Sequence, residues 1–472
     1  MKADSAVPPE GRRLQALFPP DVAPNWSPGA IALAVSVVVV AGVTPVLRQV
    51  GASALETIWA EDGRVFLQSA LSQGPLAAFS GTYAGYLHVV PRVAAEAAAL
   101  LPLGLASEVI TLAANGIAAL CAFAVFVATR PHLRSPVLRA LLAVSLVLLP
   151  TAGVEVLNNL ANVQWYLLTA SFWLLLWRPH STLGNLGASL LLVATALSAP
   201  LSVLLVPLAL ARLAAAPRGR TALPVWLFGI AVAAQVAAAS SSLTEPGSFG
   251  GAPASLLQAY AQRVIAVAFL GQRVGGALWV RGGWLWPLTA TVVLVALLLV
   301  GVSVGGRTRG LVGVTSAYSL GFFLASAVLR GNTEGLLWPH HAAHAYGGRY
   351  TVVPLLLLYA MVAAFLDRMP LRGHAGLSRS LHAVVLVVVA VAVVGDFRLP
   401  NGRSGGPLWE EALDAARALC PVEADGTVPV PITPPGWAVD VPCDALESRA
   451  ARSGGGSQPR PSLATHVVRR PR

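Results

Sequence analysis

The chain reads as an all-α polytopic membrane protein, and three observations predict it. Hydrophobic residues make up 56% of its 472 residues and charged residues only 11%. Apolar runs long enough to cross a bilayer recur along its length. Those runs are continuous in Leu, Val and Ala, not alternating as in a membrane barrel. In hydrocarbon a spanning segment must satisfy its own backbone N–H and C=O groups, and runs of this kind do so as helices.

Apolar windows predict about eleven spans, at 28–48, 108–129, 136–152, 158–177, 184–199, 200–213, 222–240, 284–302, 309–329, 349–366 and 380–396. The pair 184–199 and 200–213 meets at Pro200 and forms either a tight helical hairpin or one long kinked helix. Charge arbitrates through the excess of basic residues in cytoplasmic loops. With Lys2, Arg12 and Arg13 inside and a hairpin at Pro200, Arg130, Arg134, Arg139, Arg178, Arg212, Arg218 and Arg220 also fall inside. So do Arg307, Arg309, Arg368, Arg372 and Arg379.

Segment 86–104 breaks this alternation if it crosses, and it carries His88, Pro91, Arg92 and Glu96, which are costly in lipid. It reads as a helix lying at the interface or packed within the protein, inside a large first outer loop at 49–107. The predicted organisation is a cytoplasmic segment 1–27, a membrane domain 28–396, an extracytoplasmic cap 397–447 and a disordered tail 448–472. Within the cap, 409–420 reads as an amphipathic helix and 428–443 as extended, proline-broken chain. Cys420 and Cys443 are either a disulfide in an oxidising compartment or two free thiols, while Cys121 is a small core residue in a span. The first apolar segment is long and lacks a cleavage site, so no cleavable signal peptide is read from it.

Three polar stretches stand out against this background. WAEDGRVFL, 59–67, places Glu61 and Asp62 just after the first span. As structure alone they are a solvated helix cap or a partner for Arg64; at a membrane surface they suggest chemistry. EVLNNLANVQWYLL, 155–168, puts Asn158, Asn162 and Trp165 on a common helical face. The amides suit sugar hydroxyls and the indole a sugar ring, or equally helix-to-helix hydrogen bonds and interfacial anchoring. WPHHAAHAYGGRYTVVPLLLL, 338–358, contains His340, His341, His344, Arg349 and Tyr350. His340 and His344 share an i, i+4 spacing able to hold a metal, or they bind water, headgroup or sugar hydroxyls. The outer loop 241–283, with Gln262, Arg263, Gln272, Arg273 and Arg281, offers further lipid-phosphate or acceptor contacts.

Several chemistries are excluded. There is no P-loop, no dinucleotide fingerprint and no cysteine–histidine zinc spacing, which argues against an ATP-driven function. The formal charge of +11 fits cytoplasmic loops and anionic lipid better than nucleic acid.

The acidic pair after the first span, in a long outer loop with an interfacial helix at 86–104, resembles the GT-C glycosyltransferases. These integral membrane enzymes take sugars from polyprenyl-phosphate carriers at the outer face. Similar layouts occur in protein O-mannosyltransferases, lipid A aminoarabinose transferases and actinobacterial arabinosyltransferases. Where many relatives carry a fuller His-Pro-Pro-like signature, this chain has only His88-Val89-Val90-Pro91. The junction 338–358 also resembles the loop-to-helix junctions, often with an Arg-Tyr pair, of such transferases.

The resemblance implies an inverting transferase of the plasma membrane acting on an envelope glycan, lipid or protein. Asp62 is the expected general base, and Glu61 the alternative or an orienting and metal-binding partner, so a divalent metal ion is the one cofactor left open. Arg92 and Arg349 are expected at the leaving phosphate, because guanidinium presents a rigid, permanently charged fork. His88, Asn158, Asn162, Trp165, His340, His344 and Tyr350 complete the expected substrate contacts. The rival readings are a transporter or flippase of lipid-linked sugars, a polysaccharide polymerase or ligase without the acidic base, and a non-catalytic envelope scaffold.

Overall fold

The computed structural model describes residues 15–21, 26–215, 219–241, 253–303, 306–330, 336–338, 347–368, 375–420 and 426–447. Six helical stretches among them are long and apolar enough to cross a membrane: Pro28–Arg48, Leu103–Ala128, Arg220–Ser240, Ala254–Gly282, Thr308–Leu329 and Gly348–Arg368. Shorter apolar helices lie between them, and the chain is an all-α polytopic membrane protein.

The first helix, α1 (Pro28–Arg48), shows how the sequence builds such an element. Ser27 accepts the Ala30 N–H at 3.3 Å and Pro28 opens the first turn, both favoured at helix starts. Ile31, Val35, Val38, Val39 and Val43 lie exposed on one side, whereas Ala34, Val37 and Ala41 are buried on the other. Lipid accepts the bulky residues, and the small ones let the neighbouring helix α3 (Ala106–Ala128) approach closely. Deeper in, α5 (Val163–Leu176) is buried on every side and is apolar all round, as an interior helix must be.

The ends of the bundle are tied by buried polar groups. At one end Asp21 accepts from Arg130 and from Trp177 Nε1. Nearby in the same layer Asp367 accepts the Arg134 and Ser135 N–H groups at 2.9 and 2.8 Å. At the other end the buried Arg48 guanidinium donates to the carbonyls of Val147, Leu149, Asp396 and Phe397. It thereby gathers the last turns of α1, α4 (Pro136–Leu148) and α14 (Ala375–Gly395).

Segment 86–104 opens on β2 (Tyr86–Leu87), which pairs with β1 (Thr82–Tyr83), and continues into an 11-residue helix, α2 (Val89–Ala99). At 1.5 Å per residue α2 is about 16 Å long, roughly half the hydrocarbon thickness. The question at Pro200 resolves as a hairpin. Helix α6 (Thr182–Ala196) leaves the Asp21 end, and α7 (Val206–Ala215) returns to it, where Arg212 donates to Leu174 and Leu175 carbonyls at 2.8 and 3.1 Å.

Two expectations need correction. The span read at 158–177 starts only at Val163, because residues 156–162 form a non-helical turn with Asn158 at φ 63°. The stretch 241–283, read as an outer loop, contains two helical arms, α9 (253–270) and α10 (272–282), that meet at Gly271, where φ is 74°. Although Ala254–Gly282 is long and apolar enough to cross a membrane, it is two arms bent at Gly271 and not one straight helix. Helix α8 (Leu223–Ser241) finishes at the Arg48 end, where Gln235 brackets Leu87. Helix α12 (Gly306–Arg330) lies antiparallel to α13 (Val352–Arg368), with Ser319 donating to Pro354 O at 2.8 Å, so α11 (Leu285–Ser303) also starts at the Arg48 end. The intervening arms therefore enter and leave on one side. Trp338 touches both: its N–H donates to Gln262 Oε1 at 2.9 Å, and its indole packs over Gly275. Asp396 accepts the Gln272 and Arg273 N–H groups and so caps the second arm.

The C-terminal cap combines α15 (Trp409–Arg417) with a hairpin of β3 (Thr427–Ile432) and β4 (Trp437–Pro442). A disulfide joins Cys420 to Cys443. Val428, Val430 and Ile432 are buried while Pro429 and Pro431 alternate with them, and a two-stranded sheet leaves an open edge where proline costs no ladder bond.

Candidate functional site

The site forms where the segment after α1 meets the cap and the start of α5. Thr433 fixes residues 58–60 by backbone bonds, donating to Ile58 O at 3.0 Å and accepting from Ala60 N–H at 2.6 Å. The chain then winds into a wide turn, Asp62–Leu67, with the i→i+5 pattern that single turns adopt under local constraint.

The adjacent acids diverge from there. Asp62 is fully buried, and its Oδ2 and Oδ1 accept the N–H groups of Leu160 and Ala161, each at 2.8 Å. Beside it Arg403 donates to Thr57 O at 2.9 Å and to Asn158 O at 2.7 Å. Burial pushes the Asp62 carboxyl up to about 7, against the opposing pull of Arg403 and of the two N–H groups. Both oxygens thereby hold the turn before α5. Glu61, half-buried, acts electrostatically on Arg349.

Arg349 organises the rest of the cluster. It lies in a short 3₁₀ turn, Gly348–Thr351, that follows Gly347 in a left-handed conformation at φ 80°. Its guanidinium sits 5.2 Å from the Tyr350 ring centroid and donates to Tyr350 Oη at 3.3 Å. Glu155 and Glu61 both act on it electrostatically, and Glu155 also acts on Arg263 from the first re-entrant arm. Among the described residues Glu155 Oε2 is buried without a hydrogen-bond partner. The Tyr350 ring meets Trp165 edge-on at 5.9 Å, and Trp165 Nε1 donates to Asn162 Oδ1 at 3.0 Å.

The other expected contacts have structural work. Asn158 Nδ2 donates to Pro45 O at 2.8 Å, and its Oδ1 accepts from Asn115 at 3.1 Å. Asn162 Nδ2 donates to Glu155 O at 2.9 Å and to Asn159 Oδ1 at 2.8 Å. These amides bind each other and the backbone, and Asn158 and Asn162 precede α5, so they do not share a helical face with Trp165. His88 is buried and stacked on Tyr86 at 4.0 Å, with Phe66 at 5.3 Å. Arg92, also buried, sits 5.8 Å from the Phe66 ring and interacts with Glu96. This group borders the Arg349 cluster through Gln164, which donates to Tyr86 Oη at 3.3 Å.

His340, His341 and His344 lie outside the described residues. Among the described residues no group of three or more His, Cys, Asp or Glu side chains is placed to hold a metal ion. Glu155 enters the cluster without a role assigned to it from sequence, and Arg263 joins it from the outer loop whose polar residues were expected to offer lipid-phosphate or acceptor contacts. Their signal was an acid at the mouth of a span and an arginine within an apolar stretch, both costly in a membrane unless used. Comparison with protein-family models, with curated proteins and with solved structures finds no match to this chain.

Proposed function

We propose that the protein is an inverting glycosyltransferase that moves a sugar from a polyprenyl-phosphate carrier to a cell-envelope glycan, lipid or protein. The observation that carries this reading is the gathering of charge and aromatic rings around Arg349, on which Glu155 and Glu61 both act electrostatically and beside which Tyr350 meets Trp165, where the first long loop closes on the bundle. Glu61 takes the proton from the acceptor hydroxyl as that oxygen attacks the anomeric carbon. The new C–O bond forms as the bond from that carbon to the phosphate oxygen breaks, and polyprenyl phosphate departs with its electron pair toward Arg349. Tyr350, half-buried, offers its ring to the sugar, and the buried Trp165 backs it edge-on. Asp62 and Arg403 are positioning residues that hold the loop against α5.

In this reading the Arg48 end is extracytoplasmic at the plasma membrane and the chain crosses eleven times. The re-entrant hairpin adds no crossing, and the N-terminus stays in the cytoplasm. Arg130, Arg134, Arg212 and Arg368 then fall inside, as the orientation rule requires. The rival supported by a separate observation is a transporter of lipid-linked sugars, because interrupted re-entrant helices line substrate paths in such proteins.

The test is transfer of radiolabel from polyprenyl-phosphate sugars to endogenous acceptors in membranes carrying the wild-type chain or Glu61→Gln. Transfer by the wild type that falls at least about a hundredfold in the variant supports the transferase. Carrier-bound label that crosses the membrane without reaching an acceptor supports the transporter.

A further inference from the structure

Below the tip of the re-entrant hairpin the bundle is incompletely filled. Phe269 and Leu270 on the first arm, Trp286, Ala290 and Val293 on α11, and Val388 on α14 line a groove of about 300 Å³ whose walls present only apolar surface. The cause is topological: the first arm ends at Gly271, and among the described residues the groove beyond Phe269 and Leu270 is walled by α11 and α14. A void of that size among side chains forfeits dispersion contacts on every face, and only hydrocarbon restores them in the bilayer interior.

The groove is open to the bilayer and leads toward a cation. Val293 and Val384 keep 45% and 57% of their surface exposed. On α11, Trp286, Ala290 and Val293 fall at i, i+4 and i+7, a stripe that descends about 10 Å from the Arg48 end. At the upper end the Trp286 indole leans over Gly282, next to the exposed Arg281 in the last turn of the second arm. The exposed Trp284 follows, as an interfacial anchor does.

We propose that this groove is a binding site for one anionic glycerophospholipid of the same leaflet. One acyl chain lies along Trp286, Ala290 and Val293 under the re-entrant tip, and the headgroup phosphate pairs with Arg281. Bulk phospholipid is the occupant because the groove opens sideways to the bilayer, where that lipid is the solvent. The site is independent of sugar transfer and stands whether or not the Glu61 cluster is catalytic.

The test is native mass spectrometry with lipid extraction on the full chain purified in mild detergent. The expected wild-type result is one retained glycerophospholipid, enriched in anionic headgroups over the host membrane. Thr289→Trp and Val293→Trp, tested separately because each fills the groove from an exposed position, should lower occupancy at least tenfold. Arg281→Gln should keep the lipid and lose the anionic enrichment. Retention of a polyprenyl phosphate in its place, a wild type that carries no lipid, or undiminished occupancy in folded Trp variants overturns the proposal.

Discussion

The two ends of the bundle use their carboxylates differently. At the Asp21 end, Asp21 holds Arg130 and Trp177 while Asp367 holds two successive backbone N–H groups. At the Arg48 end, Asp62 and Asp396 repeat the second device, each taking two successive N–H groups from a distant turn. The glutamates at that end do otherwise. Glu61 and Glu155 both act electrostatically on Arg349, and among the described residues Glu155 Oε2 has no hydrogen-bond partner. A short carboxylate with both oxygens on backbone N–H groups is architecture. In the proposed reading, a longer one beside a guanidinium carries the chemistry.

The sharpest way to break this contrast is through the adjacent acids themselves. Asp62→Ala strands two buried N–H groups and leaves Arg403 without its carboxylate, and should cost about 3–5 kcal/mol. Glu61→Ala should change stability by no more than about 0.5 kcal/mol. Chemical or thermal unfolding in detergent measures both, and equal losses would remove the division of roles.

Arg349→Ala should lower transfer about 10- to 100-fold through the loss of a charge-assisted phosphate contact, with Arg349→Lys recovering only part. A transfer assay at varied donor concentration reads this, and wild-type rates in the Ala variant would take Arg349 out of the site. Gly271→Ala sets a Cβ 2.7 Å from Asp396 Oδ2 at a left-handed φ, and should cost about 1–3 kcal/mol. A melting temperature equal to wild type would show that the arms do not reverse as described.

The smallest effect is on pH. Burial raises the Asp62 carboxyl from the ordinary 3.8 to about 7, so the folded state favours its protonated form. The stability that this supplies is complete below about pH 4 and is lost as pH rises through about 7. The melting-temperature difference between the wild type and Asp62→Asn should therefore shrink from pH 4 to pH 8. A difference that grows with pH would mean that the N–H groups and Arg403 outweigh burial.

The helical membrane class and most helix positions were legible in the sequence because lipid imposes length and apolarity on each segment independently. The acidic pair after the first span was also visible. Which acid is bound to backbone was not, because the distinction lies in contacts with Leu160, Ala161 and Arg403, between 98 and 341 residues away in the chain. The amides at 158 and 162 misled for a related reason. Their spacing matches a helical face, but Asn158 adopts a positive φ that no periodicity reveals. The re-entrant arms were hidden because Gln262, Arg263, Gln272 and Arg273 dilute the apolar pattern of 253–282. Those same residues meet Trp338, Glu155 and Asp396 in the folded chain.

The most direct test of the central claim is a paired measurement on Glu61→Gln and Asp62→Asn, with transfer from a labelled polyprenyl-phosphate sugar and melting temperature recorded on the same membranes. The account predicts that Glu61→Gln loses transfer and keeps its melting temperature, whereas Asp62→Asn shifts its melting temperature and retains transfer in proportion to folded protein. Full transfer by Glu61→Gln, or its loss in a stably folded Asp62→Asn, would contradict the assignment of Glu61 as the base.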